Sequence, residues 1–220
     1  MVSLRSLICV FSIVIISSGA PSADPASKLE ERQGCTAVKI MSLRGSDETI
    51  PGRLGAVENA IHGQTRQSVT IYDVPYPASG ANYNQSESQG VGLLRAQLAT
   101  AKASCPVQKI VVMGYSQGAQ VVADVLQSRS TGTDLIKAAI LFADPTHTAN
   151  QPFNAGTGNA RNGLSPRASG ALNAFSSVLQ SYCLVNDPVC ARGGNVNDHL
   201  VVVSTYQNQA VGFALGKIGG

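Results

Sequence analysis

The sequence contains no tryptophan, no internal repeat, no low-complexity tract and no linker that divides its length. The missing repeats argue against a structural wall protein. Its longest apolar run falls short of the about 20 residues that a bilayer-spanning helix needs. Lys and Arg number 16 against 13 Asp and Glu, and the cations do not cluster, so nothing in the charge pattern fits nucleic acid. There are three histidines, and no Cys-x-x-Cys spacing or histidine cluster accompanies them. A metal site is therefore not expected. Glycine and alanine are plentiful instead, which suits helices packed closely on a sheet.

The first segment reads as an address. One positive charge in Met1 to Arg5 precedes an apolar run from Leu7 to Ile16, and the small residues Ser17-Ser18-Gly19-Ala20 follow. This is the pattern of a signal peptide over residues 1–20. Residues 21–33 are polar and end in Glu30-Glu31-Arg32-Gln33, a propeptide pattern with trimming after Arg32. Residues 34–220 are then long enough for a single domain with a substantial core. The expected location is extracellular, and this changes how cysteine is read. Of five cysteines, Cys9 lies in the signal segment and four remain. An even number in an oxidising compartment suggests two disulfides, with three pairings open. The economical pairing is Cys35–Cys105 with Cys183–Cys190.

The rest of the chain alternates. Strand patterns at Ala37 to Leu43, Ser68 to Val74, Lys109 to Met113, Ile136 to Phe142 and Val178 to Leu184 are separated by helical patterns. The helices are expected at Arg53 to Arg66, Ser86 to Ser104 and Gln117 to Ser128, with a further short one at Ser169 to Phe175. In the second, Val91, Leu94, Leu98 and Ala101 fall on one face. Asn150 to Pro166 reads as a long polar loop. His199 to Leu215 opens as an apolar run and ends as a helix. Strands alternating with helices predict a parallel sheet covered on both faces. Reactive groups in such a sheet gather beyond the carboxyl ends of the strands, where Ser46, Ser116 and Asp187 all fall.

The centre of the chain is Gly114-Tyr115-Ser116-Gln117-Gly118. A β-branched run precedes it and a helix-compatible segment follows, as a nucleophile elbow requires. Small residues at Gly114 and Gly118 let strand and helix pass closely. The free N–H groups at the start of the following helix would face an oxyanion formed at Ser116.

A serine hydroxyl needs a base, and the base needs an orienting group. His62 reads as a surface residue. His147, in the loop after Asp144-Pro145, is a second-choice base. His199 fits the chain order Ser, acid, His of α/β-hydrolases. Among the carboxylates, Asp124 lies on the elbow helix pointing away, Asp134 reads as a turn or cap, and Asp198 is too close to His199 in sequence. Asp144 is the second choice for the acid. Asp187 is the first, because a disulfide between Cys183 and Cys190 would hold it rigidly.

These residues together resemble the cutinase family, which also contains acetylxylan esterases. The resemblance is carried by Gly114 to Gly118, Cys183-Leu-Val-Asn-Asp187-Pro-Val-Cys190, His199, the Arg44-Gly45-Ser46-Asp47-Glu48 segment, Tyr76-Pro77-Ala78, and the placement of Cys35 and Cys105. It covers essentially the whole chain after residue 33. It implies a small α/β-hydrolase with a central five-stranded parallel sheet and no large lid. Ser116 is then the nucleophile, His199 the base and Asp187 the acid, and Ser46 and Gln117 form the oxyanion hole. No cofactor is implied. The implied substrates are esters of plant cuticle or cell wall, handled by a secreted monomer without membrane insertion. Cutinase-type activity on polyester and short-chain esters is the main reading, and deacetylation of cell-wall polysaccharide is the alternative. A non-catalytic binding or signalling protein of the same fold is a minor third. The segment Arg192 to Asp198 is mostly polar, and Tyr83, Leu164 and Val196 are candidates for lining the cleft. Asn84-Gln85-Ser86 is a glycosylation sequon.

Overall fold

The computed structural model describes residues 34–219. The signal and propeptide segments, with Cys9, lie outside the described residues.

Six strands and four α-helices are present among the described residues. In chain order they are β1 (Val38–Leu43), α1 (Gly55–Gln64), β2 (Val69–Asp73), α2 (Tyr83–Ser104), β3 (Lys109–Tyr115), α3 (Gln117–Gln127), β4 (Ile136–Phe142), β5 (Asn154–Ala155), β6 (Leu179–Tyr182) and α4 (Val196–Ile218). The strands form one sheet in the order β2-β1-β3-β4-β6-β5, and every pairing is parallel. The expectation of five strands is corrected by β5. This strand pairs only Asn154 with Ser181 and Ala155 with Tyr182, and a two-residue strand carries no periodic signal in a polar loop.

Alternation along the strands sends side chains to opposite faces. Met41 and Leu43 of β1, Ile110 and Val112 of β3, and Ala139 and Leu141 of β4 face α2 and α3, where they meet Leu94, Leu98, Val121, Val122, Val125 and Leu126. Val38, Ile40, Val111, Met113, Ile140 and Phe142 face α1 and α4, where they meet Val57, Ile61, Val202, Val203, Val211 and Ile218. The central strands are thus apolar on both faces, as a sheet covered on both sides demands. Each fully buried Val, Leu or Ile contributes about 1.5–3 kcal/mol relative to an exposed one.

Two further expectations change. Between Ser169 and Phe175 only a 3-10 turn forms, at Asn173–Phe175. The apolar run after His199 is helical throughout, because α4 begins at Val196. The Asn195 side chain caps it by accepting from the Asn197 N–H at 3.0 Å, and Gly219 closes it with φ 75°. Val202 and Val203 have the β-branched look of a strand, but burial against the sheet outweighs their weak helix propensity.

The chain turns away from β1 in two directions: β2 lies on one side of it and β3 on the other. The crevice beyond the carboxyl ends of β1 and β3 is a topological switch point, where such sheets bind ligands. The segment carrying Ser46 leaves β1 there, and the segment carrying Ser116 leaves β3 beside it. The structure also contains the disulfides Cys35–Cys105, spanning 70 residues, and Cys183–Cys190, spanning 7. The first joins the segment before β1 to the end of α2, and the second closes the loop after β6.

Candidate active site

The turn at Ser116 is as tight as its motif suggests. A Cβ on Gly114 would lie 2.3 Å from the Gly118 carbonyl oxygen, and one on Gly118 would lie 2.0 Å from that of Leu43. Neither distance is tolerable, so glycine is required where strand, helix and β1 converge. Ser116 itself has φ 53° and ψ −117°, a conformation that costs a non-glycine residue about 1–3 kcal/mol. Its N–H donates to the Phe142 carbonyl at 2.9 Å, which fixes the turn against β4. The side chain stays half-buried, within reach of a ligand.

His199 sits in the first turn of α4. Its Nε2 lies 3.1 Å from Ser116 Oγ, and its Nδ1 lies 2.9 Å from Asp187 Oδ2 and 3.1 Å from Oδ1. A carboxylate can only accept, so Nδ1 carries the proton and the Nε2 lone pair faces the serine hydroxyl. Asp187 is fully buried. Its Oδ1 also accepts from the N–H groups of Val189 at 2.6 Å and Cys190 at 3.1 Å, so the loop closed by Cys183–Cys190 holds the carboxylate on its inner side. The carbonyl of Asp187 takes the N–H groups of Ala191 and Gly193 at 3.1 and 2.9 Å. A Cβ on Gly193 would strike the Asn186 backbone at 2.2 Å, so this return of the chain is also closely packed.

Gln117 opens α3, and its N–H has no acceptor within the helix. The side chain is fully buried. Its amide donates to the Ser79 carbonyl at 3.1 Å, and its Oε1 accepts from Ser86 Oγ at 3.0 Å. Ser86 is therefore occupied in holding Gln117, while Asn84 is exposed on the first turn of α2. Ser46 is half-buried in the loop after β1. That loop is tied down by Asp47 N–H to the Ala78 carbonyl at 2.7 Å and by Gly45 N–H to Glu48 Oε2 at 2.9 Å.

The other candidates lie elsewhere. His62 is exposed. Asp124 pairs with Arg167 at 2.6 Å, Asp134 with Lys102 at the surface, and Asp198 accepts from Asn195 at 2.6 Å. His147 is buried, and its Nδ1 lies 3.1 Å from Ser181 Oγ, not near Ser116. Asp144 is buried and accepts from the N–H and hydroxyl of Thr146 at 2.8 and 2.6 Å. Leu164 and Val196 are 55% and 62% exposed. The Tyr83 hydroxyl donates to Gln120 at 2.8 Å.

Sequence reasoning missed Tyr115, Arg53, Ser79 and Ser86, which touch these groups from behind. Tyr115 could have been found from its place beside the serine. No local pattern marks Arg53, which reaches Leu200 and Tyr115 from far away in the chain. Among the described residues, no group of three or more His, Cys, Asp or Glu is placed to hold a metal.

Residues 34–218 match the Cutinase family. The chain is 28% identical to acetylxylan esterase 2 of Talaromyces purpureogenus, over 95% of this chain and 98% of that protein. It is 31% identical to the carboxylesterase Culp1 of Mycobacterium tuberculosis, over 97% of each. The solved catalytic core domain of acetyl xylan esterase from Trichoderma reesei superposes with a TM-score of 0.78 at 27% identity, covering 83% of this chain and 99% of that one. The chain belongs to the cutinase family of carboxylic ester hydrolases.

Proposed function

We propose that this enzyme cleaves esters through Ser116, His199 and Asp187, acting on polyester and short-chain esters in the manner of a cutinase. The observation that carries the reading is the His199 imidazole, placed between Ser116 Oγ and the Asp187 carboxylate at 3.1 and 2.9 Å. Ser116 Oγ attacks the ester carbonyl while His199 Nε2 takes its proton. Asp187 keeps the imidazole in the required tautomer and stabilises the cation that forms. The Gln117 N–H, with Ser46, receives the oxyanion. Loss of one such donor costs about 2.7–4 kcal/mol of transition-state stabilisation. His199 then protonates the leaving alcohol, and water repeats the sequence to release the acid.

The polyester reading draws on the surroundings of His199. Val196 and Leu200 stand exposed on the same first turns of α4, at 62% and 44%. Arg53 donates to the Leu200 carbonyl, which brings the exposed Ile50 segment close. Leu164 donates its N–H to the Val189 carbonyl beside Asp187. These exposed aliphatic side chains, on the segments that carry or adjoin His199 and Asp187, suit an acyl chain or a waxy surface. They temper the polar appearance of Arg192 to Asp198. Deacetylation of cell-wall polysaccharide is the second reading, favoured by the names of the relatives. We further propose that residues 1–20 direct secretion, that residues 21–33 are removed, and that residues 34–220 act as one monomeric domain. Among the described residues no helix is long and apolar enough to cross a membrane.

The test is kcat/KM over p-nitrophenyl esters of increasing length, run beside cutin and acetylated xylan. An open cleft buries few methylenes, each contributing about 0.8 kcal/mol at most. Activity should peak between acetyl and about hexanoyl, with cutin monomers released. Release of acetate from xylan without attack on cutin would select the second reading, and a steady rise through dodecanoyl would refute the open cleft.

A further inference from the structure

Ser46, Ser116 and His199 lie on three separate segments, and one residue touches all three. Tyr115 precedes Ser116 in the chain. Its hydroxyl donates to the His199 carbonyl at 3.0 Å, and its ring lies 5.2 Å from the imidazole, tilted by 34°. The same ring packs on the loop that carries Ser46: a Cβ on Gly45 would lie 2.6 Å from the Tyr115 ring. The guanidinium of Arg53 stands 5.3 Å over that ring. Arg53 Nε then donates to the Leu200 carbonyl at 3.0 Å, and its Nη1 pairs with Glu48. Glu48 closes the circuit by accepting the Gly45 N–H at 2.9 Å.

We propose that Tyr115, Arg53 and Glu48 form a positioning unit that sets His199 and the Ser46 loop at a fixed separation across Ser116. The proposal rests on the Ser116–His199–Asp187 reading. The unit acts from beneath the site. Tyr115 is only 3% exposed, and the pair Arg53–Glu48 holds the main chain beside the reacting groups. His199 and Leu200 occupy the first helical turns of α4, and the preceding segment from Gly194 to Asn197 is exposed. Without an anchor, that helix end is free to shift the imidazole. Tyr115 and Arg53 grip two successive carbonyls there. Burial pushes the Tyr115 phenol up to about 12, so it remains a hydrogen-bond donor at neutral pH.

The test compares Tyr115→Phe, Arg53→Lys and their combination with Ser116→Ala and His199→Ala. Tyr115→Phe keeps the ring and loses only the hydroxyl. Arg53→Lys keeps the charge and loses the Nε donor to Leu200. Displacement of a reacting group by about 1 Å can cost up to about 100-fold, and we expect each conservative variant to lose about tenfold in kcat with KM unchanged and the melting temperature lowered by no more than one lost hydrogen bond explains. The rate of inactivation by a serine-directed phosphonate should fall by the same factor. The double variant should be no worse than the poorer single one, because both act through one element. Retention of kcat by Tyr115→Phe and Arg53→Lys, while Ser116→Ala and His199→Ala are inactive, overturns the positioning unit and leaves the triad standing. Losses confined to melting temperature overturn it equally. Activity in Ser116→Ala overturns the triad and this proposal with it.

Discussion

Among the described residues, two groups of serine, histidine and aspartate differ in how their side chains meet. In the first, His199 bridges Ser116 and Asp187. In the second, His147 meets Ser181 at a similar 3.1 Å, but Asp144 spends an oxygen on Thr146. Ser181 lies within β6, in regular backbone and 1% exposed. His147 Nε2 is buried without a hydrogen bond of good geometry. The cavity that His147, Asp144 and Ser181 share with Phe153 and Leu172 measures about 10 Å³, room for about one water. Ser116 instead stands on a strained turn at a helix N-terminus, open to solvent. The same residue types, with the same 3.1 Å between serine and histidine, therefore stand in different surroundings. Backbone conformation, access and the direction of the aspartate separate the two.

The largest effect separates the two serines and the two histidines. Ser116→Ala and His199→Ala should each lower kcat by at least about 10³-fold with the fold kept. Ser181→Ala should leave kcat intact and cost about 1 kcal/mol of stability, the net value of one hydrogen bond. His147→Ala should behave like Ser181→Ala with a larger loss of stability. Steady-state kinetics beside urea unfolding reads both. An inactive but folded His147→Ala protein would break the comparison.

The next effect concerns what holds each acid. Asp187 lies within the Cys183–Cys190 loop, whereas Asp144 has no such closure. Replacing Cys183 and Cys190 by serine should lower kcat by about tenfold through misplacement of Asp187, more than a loop of 7 residues would suggest for stability. Replacing Cys35 and Cys105 should cost about 2–4 kcal/mol of stability and leave kcat of the folded enzyme unchanged. Equal kinetic losses from both replacements would contradict the division.

The smallest effect is in pH. Burial pulls His147 below its ordinary value of 6.5, so the native state resists its protonation while the unfolded chain does not. Its contribution is intact above pH 6.5 and is lost as pH falls towards the folded value. Glu58 works against this slope. Burial pushes its carboxyl up to about 7, the Asp73 carboxylate adds repulsion, and the Ser42 hydroxyl opposes the shift. Its contribution is intact below the ordinary 4.5 and is lost as pH rises through about 7. His147→Gln should therefore flatten the acid limb of a stability profile. Glu58→Gln should stabilise the enzyme above pH 7, where the buried carboxyl would otherwise ionise. An unchanged acid limb in His147→Gln would show that the second cluster is wetter than its packing implies.

Much of this was legible along the chain. Runs such as Ile110-Val111-Val112 and Ile136 to Phe142 announce central strands because a doubly covered sheet needs apolar residues on both faces. Gly114 and Gly118 announce the elbow because no Cβ fits beside Leu43 or within the turn. β5 was not legible, since two residues within a polar loop carry no period. The helical start of α4 was hidden by the β-branched Val201, Val202 and Val203, whose placement depends on the sheet beneath them.

The sequence by itself determined the alternation of strands and helices, the sharp turn at Ser116, and the short list of histidines and aspartates able to serve it. These follow from local sterics and periodicity, which act within a few residues. Only the tertiary structure decided that His199 faces Ser116 while His147 faces Ser181, that Asp187 turns inward, and that Tyr115 and Arg53 donate to the His199 and Leu200 carbonyls. Those hydrogen bonds join segments 34 to 147 residues apart in the chain, and packing, not local preference, brings them together.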